Sequence, residues 1–459
     1  MSCKVGMISL GCPKNQVDAE HMLARLHEGG YYITNNESSA DVVIINTCGF
    51  IDDAKKEAIE NILEMAALKK EGTIKGIIVT GCLAERFRDE VAQELPEVNV
   101  VLGLGSSGDI CAAVEAAYKG EHYSSYGDLP DMNDEGERVL TTPRYTAYLR
   151  IADGCDNCCT YCTIPHIRGR FRSRTVENIV DEAKRLAARG VKELVVVAQD
   201  TTRYGEDLYG EVRLCELLDR LCEIDGIQWI RMLYTYPDRI TDKLLDTMAR
   251  QPKILNYLDI PLQHCNGDIL RRMNRRGDRA SLTALMDKIR AKLPDVTLRT
   301  TFITGFPGET EEQFTELCEF VRQVEFDRLG CFAYSAEEGT PAAAMDHQVD
   351  EEVKQRRADI IMDIQNRIVD EKNQRRIGDT VDVLVEGYDS YIKCFFGRSP
   401  ADAPDIDAKV FFCTDGERPT EGDIVPVEIT DTIEYDLLGC MEGNQTGSSS
   451  EQSDADNRA

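Results

Sequence analysis

Apolar positions fall in short continuous runs that end in cysteine or glycine, each followed by a longer stretch with apolar residues three and four apart. This is the pattern of strands alternating with helices. The runs KVGMISLGC to Cys12, DVVIINTC to Cys48 and KGIIVTGC to Cys82 each precede a charged amphipathic segment, and Ile51 to Lys70, between the last two, has helical spacing. Strand and helix in alternation predict a parallel sheet, in which the carboxyl ends of all strands share one edge, where ligands bind. Cys12, Cys48 and Cys82 therefore converge on that edge. Cys3 and Cys111 lack such a position and read as packing residues.

From Tyr118 to Pro143 the pattern lapses into the polar, acidic, turn-rich GEHYSSYGDLPDMNDEGERVLTTP, which predicts a linker over 121–143 after a first domain at 1–120. Strands then recur with helices between them: AYLRIADG, KELVVVAQD, QWIRMLYTY, NYLDIPLQ, TLRTTFITG and RLGCFAYS. Six such units over 144–374 predict a partial, open relative of the eight-fold barrel, with chemistry at the strand ends. A long charged helix from about Glu351 to Arg375 leads to TVDVLVEGYD, KCFFGRSP, KVFFCTD and IVPVEITDT, which spell a small β-barrel over 375–441. Residues 442–459 have nothing to bury and read as disordered. The fold class is thus α/β: a parallel N-terminal α/β domain, a partial (βα)6 barrel and a small C-terminal β-barrel.

A chain of 459 residues holds two or three domains at ordinary domain size. Its 17 cysteines would suggest disulfides in a short secreted chain, but nothing resembles a signal peptide and the thiols group at strand ends. A reducing cytoplasm is expected. No stretch approaches the roughly 18 apolar residues of a membrane span. The net charge of −29 repels polyanions at long range and favours a basic partner.

The segment Cys155-Asp156-Asn157-Cys158-Cys159-Thr160-Tyr161-Cys162 holds thiols spaced C-x3-C-x2-C, in the loop after the first strand of the second domain. Three thiolates are one short of a closed four-thiolate site, so a 4Fe-4S cluster held this way keeps one iron open to a small molecule. A structural zinc knuckle or reduced core cysteines are the alternatives. Cys158 offers a second register, C-x2-C-x3-C.

The C-x3-C-x2-C loop resembles the radical SAM superfamily, in which the open iron meets S-adenosylmethionine. With SLGCPKNQVDAE, NTCGFIDDAKKEAIE, VTGCLAERF, AQDTTRYG and GRSPADAPDID, and with the three-domain order, nearly the whole chain resembles the methylthiotransferase family, whose C-terminal barrel is a TRAM domain. Within it, the likeness is to the branch that modifies an aspartate of ribosomal protein S-twelve; the alternative is the branch that modifies transfer-RNA adenosine.

The resemblance implies two 4Fe-4S clusters. One, on Cys155, Cys159 and Cys162, would cleave S-adenosylmethionine to a 5′-deoxyadenosyl radical. The other, on Cys12, Cys48 and Cys82, would carry sulfur methylated by a second S-adenosylmethionine. It also implies a sulfur source and an electron donor such as flavodoxin or ferredoxin, and it makes Cys158 a bystander. A non-catalytic iron–sulfur electron carrier would need neither a substrate barrel nor two three-thiol sets.

Tyr161 matches the aromatic found against the adenine, with packing as its plainer role. Gln199 and Asp200, Gln263 and His264, and Gly305 and Gly308 stand at strand ends. Of these, Gln199, Gln263 and Gly305 join Tyr161 as candidate cofactor contacts. His264 reads equally as structural, and the Gly-Phe-Pro-Gly turn as punctuation. The arginines of HIRGRFRSR (166–174) are either solvated or able to grip a carboxylate of S-adenosylmethionine or substrate. From Arg375 to Met441, 6 Lys or Arg face 15 Asp or Glu, a formal charge of −9 that favours a basic ribosomal protein over RNA.

Overall fold

The computed structural model describes residues 3–129, 132, 136–414 and 416–441. It forms two compact units, Met1–Ile368 and Val369–Ala459, the division falling within the helix Glu351–Arg375. Part of the expected linker and all of the expected disordered tail lie outside the described residues.

The first sheet of the larger unit has six parallel strands: β1 (Lys4–Ser9), β2 (Tyr32–Thr34), β3 (Val42–Thr47), β4 (Gly76–Gly81), β5 (Val100–Leu102) and β6 (Tyr123–Ser125), in the order β2-β1-β3-β4-β5-β6. Both faces of β3 are covered, since Val43 and Ile45 join one buried cluster while Val42 and Ile44 join another. That double burial is why the strand is a continuous apolar run rather than an alternating one. The pattern of the chain marks β1, β3 and β4. The three-residue strands are too short to leave a period. The order of the sheet reverses between β1 and β3, and at such a switch point the strand ends open a crevice. Cys12 follows β1 as the N-cap of helix α1 (Pro13–Glu28), Cys48 follows β3, and Cys82 opens helix α3 (Cys82–Phe87) after β4, while α2 (Asp52–Lys70) fills the predicted helical stretch.

A second parallel sheet runs β14-β13-β12-β11-β10-β7, with β7 (Thr146–Arg150), β10 (Glu193–Val197), β11 (Trp229–Met232), β12 (Ile254–Asp259), β13 (Thr297–Thr304) and β14 (Arg328–Ala333). All six predicted strands are present. The intervening helices show one apolar face, as in Val176–Ala188, where Val176, Ile179, Val180, Ala183 and Leu186 are buried and Thr175 caps the start by accepting from Asn178 N. The short strands β8 (Ala152–Asp153) and β9 (Arg172–Ser173) pair antiparallel and clamp the two ends of the cysteine loop.

The smaller unit carries a closed five-stranded barrel, β15-β16-β17-β19-β18, from β15 (Thr380–Asp389), β16 (Cys394–Arg398), β17 (Val410–Thr414), β18 (Ile424–Ile433) and β19 (Asp436–Met441). Val383, Val385, Phe395, Val410, Phe412, Val427, Ile429 and Leu437 fill its core. No helix among the described residues is long and apolar enough to cross a membrane.

Inside the second sheet the fully buried Arg231 of β11 donates to Glu193 of β10 at 3.0 Å and lies over the ring of Tyr257. Replacing Arg231 by Met removes the cation facing the buried Glu193 carboxylate, which keeps the Thr146 hydroxyl at 3.1 Å, and should cost about 3–5 kcal/mol. Urea unfolding followed by Trp229, the sole tryptophan and the register partner of Glu193, should show an earlier transition, partly restored by adding Glu193→Gln. An unchanged midpoint in the single variant would show that the pair does not hold the sheet.

Candidate active site

Two glycines let the first set of cysteines approach. At Gly11, with φ of +92°, an added Cβ would lie 2.8 Å from Cys48 Cβ; at Gly49 it would lie 2.7 Å from Leu83 Cα, beside Cys82. Any side chain at either position would push the three loops apart. The cysteines lie in each other's electrostatic field, Cys48 feeling Cys12, and Cys82 feeling both. Burial pushes the Cys48 thiol up, and that of Cys82 up to about 12. Burial also opposes ionisation of Cys12, but Lys14, Arg168 and the first backbone N–H groups of α1 outweigh it and hold that thiol below its ordinary value. Asn15 pins the crevice by donating from Nδ2 to Leu10 O at 2.6 Å.

The second set occupies the loop between β8 and β9. Cys155 N donates to Gly169 O at 3.1 Å and Cys162 N to Cys159 O at 3.0 Å, folding the loop on itself. Asn157 Nδ2 donates to Asp200 Oδ2 at 2.9 Å, and Thr160 Oγ1 to Arg272 O at 2.8 Å, tying the loop to the end of β10 and to the last residue of the helix Gly267–Arg272. Cys155, Cys159 and Cys162 are half-buried, whereas Cys158 is exposed in a left-handed conformation with φ of 49°. Its carbonyl, and not its thiol, is engaged, by Asn274 Nδ2 at 3.0 Å. Burial raises the Cys155 thiol to about 11 and, together with neighbouring Cys159, the Cys162 thiol to about 12. Arg275 Nη1 points at Cys159 Sγ from 3.7 Å, and Tyr236 Oη lies 3.9 Å from the same sulfur.

The two sets meet across one strand end. After β11, Tyr234 carries the buried ammonium of Lys14 over its ring at 3.4 Å, while Tyr236, two residues on, reaches Cys159. Arg168, at the far end of the second loop, donates from Nη2 to Asp18 at 2.8 Å and to Cys82 Sγ at 3.5 Å, and from Nη1 to Asp153 at 2.9 Å.

Both donor sets are three thiols with facing cations, which suits thiolate ligation of a metal cluster. Among the described residues no three Cys, His, Asp or Glu side chains are gathered as for a single metal ion. Each thiolate of a four-iron cube bonds a different iron, so its ligands stand further apart than those of a lone ion. Buried thiols with raised pKa give up their protons only to a positive centre, so cluster loading releases protons.

The other predicted residues fare differently. Tyr161 is half-buried against the cluster of Ile269, Met273, Phe306 and Tyr334. Gln199 donates to Asp153 Oδ1 at 2.5 Å, and its own Oε1 is buried with no partner, as is Oε1 of Gln263. Gln263 also has φ of 70° at the end of β12, a strained backbone of the sort kept at working sites. Gly305 has φ of 70° and its N–H is taken by Glu309 Oε2 at 3.0 Å; a Cβ there would strike Lys354, so packing against that residue also requires a glycine here. His264 is a core residue, its Nδ1 accepting from Asn266 N at 2.9 Å.

The arginine run is mixed, partly buried and partly solvated. Arg168 and Arg174 are buried, and Arg174 pairs with Glu182, while exposed Arg170 pairs with Asp156. The sequence reading missed Lys14, Asn15, Tyr234, Tyr236 and Arg275. Only Lys14 and Asn15 left a signal, by following Cys12 within SLGCPKN.

Three family models match in succession: uncharacterized protein family UPF0004 over residues 4–103, the radical SAM superfamily over 149–321 and the TRAM domain over 377–441. Among solved structures, the radical S-adenosylmethionine methyltransferase TsrM from Kitasatospora setae shares the fold at TM-score 0.54 and 14% identity, over 74% of this chain and 77% of that one. The cobalamin-dependent S-adenosylmethionine radical enzyme OxsB matches at TM-score 0.51 and 12% identity, over 79% and 56%. Relatives named ribosomal protein uS12 methylthiotransferase RimO are far more similar. The one from Desulforamulus reducens is 50% identical over 95% of this chain and 98% of its own length, and that from Geobacter sulfurreducens 48% identical over 95% and 98%. At that identity over nearly its full length, the chain belongs to the RimO family of radical SAM methylthiotransferases.

Proposed function

We propose that this chain is an enzyme that adds a methylthio group to the β-carbon of an aspartate in ribosomal protein uS12, working with S-adenosylmethionine and two 4Fe-4S clusters, one on Cys155, Cys159 and Cys162 and the other on Cys12, Cys48 and Cys82. The observation that carries this reading is the meeting of the two three-thiol sets across Tyr234 and Tyr236. When bound, the clusters supply an electron to split S-adenosylmethionine into a 5′-deoxyadenosyl radical at one set and a held sulfur at the other.

The chain's own residues orient and shield. Asp200 and Asn157 hold the second loop in place, and the Arg275 guanidinium faces the sulfur of Cys159. Gln199 and Gln263 offer buried acceptors for donor groups of S-adenosylmethionine, and Tyr161 offers an aromatic face. Arg168 fixes the first set against the second loop. Lys14 is a buried cation with no carboxylate in ion-pair range among the described residues, a fitting counter-charge for thiolates or for an approaching substrate carboxylate.

We read 1–120 as the sulfur-carrying segment, 144–374 as the radical-generating segment and 375–441 as the docking segment, acting in the cytoplasm with a flavodoxin- or ferredoxin-like electron donor and a sulfide source. The acidic barrel favours a Lys/Arg-rich protein over transfer RNA. Anaerobically reconstituted protein with S-adenosylmethionine, dithionite and sulfide should place one methylthio group on uS12 and none on transfer RNA. Deuterium at the aspartate β-carbon should appear in 5′-deoxyadenosine; product on RNA adenosine would overturn the reading.

Wild type should hold about eight irons per chain. Replacing Cys155, Cys159 and Cys162 together by Ala should halve the iron and abolish 5′-deoxyadenosine, and full iron retention would sink that ligand set. The matching triple variant of Cys12, Cys48 and Cys82 should also lose about one cluster yet still cleave S-adenosylmethionine, with methylthio product absent. Sulfur delivery at the wild-type rate would assign the first segment another role.

Not every acidic residue of the barrel is free to meet a partner. Asp402 is buried and accepts from Ser399, and Asp407 accepts from Ala403 N, so reversing them would damage the loop they hold. Glu421, Glu428 and Asp431 are exposed. Reversing these three to Lys should slow association with uS12 by about tenfold at low salt and flatten its salt dependence. An unchanged rate would remove charge steering from the account.

A further inference from the structure

The barrel carries a second arrangement of cysteines that the proposed chemistry does not use. Strands β17 and β19 run parallel with Cys413 directly opposite Cys440. Val410 and Phe412 point into the barrel core from β17, and Leu437 from β19. By the alternation of a strand, Cys413 and Cys440 point outward. Both are exposed, and their Sγ atoms lie 2.8 Å apart. On the other side of β17, β16 pairs Phe395 with Phe412, which sets Cys394 one step further along, beside Cys413. Three thiols therefore lie side by side on one outer wall, with the first pair already converged.

Adjacent strands stand about 4.8 Å apart, within the range of Cα separations that a disulfide spans. Exposure matters equally, since an oxidant must reach one sulfur and the partner must then displace it. The buried thiols of the protein, such as Cys265 and Cys318, lack that access.

We propose that Cys413 and Cys440 form a reversible thiol–disulfide site on the barrel wall, oxidised by small-molecule disulfides. The thiolate of one cysteine attacks a sulfur of the small disulfide, giving a mixed disulfide and releasing one small thiol. The second cysteine then attacks the protein sulfur of that bond and releases the other small thiol. Two protein thiols become one disulfide, and one small disulfide becomes two thiols, so electrons and protons balance. The bond closes the chain from Cys413 to Cys440 and staples β17 to β19 with β18 between them in sequence, stiffening the barrel.

The test uses the reconstituted full chain, equilibrated anaerobically in glutathione buffers of graded oxidised-to-reduced ratio, quenched by alkylation, digested and weighed. A peptide linking Cys413 to Cys440, two hydrogens lighter than its reduced parts, should rise in one two-electron transition and revert on reduction. Cys394→Ser should leave it, whereas Cys413→Ser or Cys440→Ser should reduce any linked peptide by at least about tenfold and leave a glutathione adduct on the remaining thiol. Amide exchange at Val410–Thr414 and Leu437–Met441 should slow in the oxidised wild type. Separate glutathione adducts on both cysteines, a Cys394–Cys413 link in preference, or full alkylation of both at the most oxidising ratio would each overturn the proposal.

Discussion

Arg168 is the residue on which the larger unit depends. It leaves the loop of the second thiol set, crosses to the helices of the first sheet, and there meets Asp18 and Asn15 of α1 and the Cys82 sulfur of α3 while keeping Asp153 of β8. A guanidinium can do this because its planar fork serves several acceptors at once, and it stays charged when buried. Arg150 adds a second bond to Asp18, and Arg138 joins Glu20 of α1 to Glu182 behind the second sheet. Buried charge thus joins the two sheets, beside a small apolar contact of Cys82, Leu104 and Ile167. Such pairs add little net stability, since desolvation offsets their attraction, but they penalise any misalignment heavily. That suits two reactive sets that must stay in register.

Three of the ten non-glycine residues with positive φ among the described residues lie by the thiol sets. Tyr234, Gln263 and Cys158 all have positive φ outside glycine, two of them at the ends of neighbouring strands and one inside the cysteine loop. Holding such residues costs energy that the surrounding structure must supply. The result at β11 is a strand end that turns Tyr234 to one thiol set and Tyr236 to the other.

The barrel shows how a residue count can mislead in detail while holding in aggregate. Its acidic excess is real, yet Asp402 and Asp407 serve as caps within the Ser399–Asp407 loop, and the charge free to meet a partner lies on residues such as Glu421, Glu428 and Asp431. Composition reports how many charges there are. Burial and hydrogen bonding decide which of them a partner feels.

The sequence by itself determined the strand–helix alternation, the placing of Cys12, Cys48 and Cys82 after strands, the loop spacing of Cys155, Cys159 and Cys162, and the closed small barrel. Those features follow from local periodicity and from where apolar runs stop. It could not yield the three-residue strands or β19, which leave too short a pattern, nor the fate of the arginine run, whose members differ only in what faces them. Nor could it show that Lys354, far along the chain, lies against Gly305, since nothing local announces that neighbour. The joining of the two thiol sets through Arg168, Lys14 and Tyr234 was likewise decided by the tertiary structure alone, because each partner comes from a different strand end and no period in one segment encodes the side chain that another will bring.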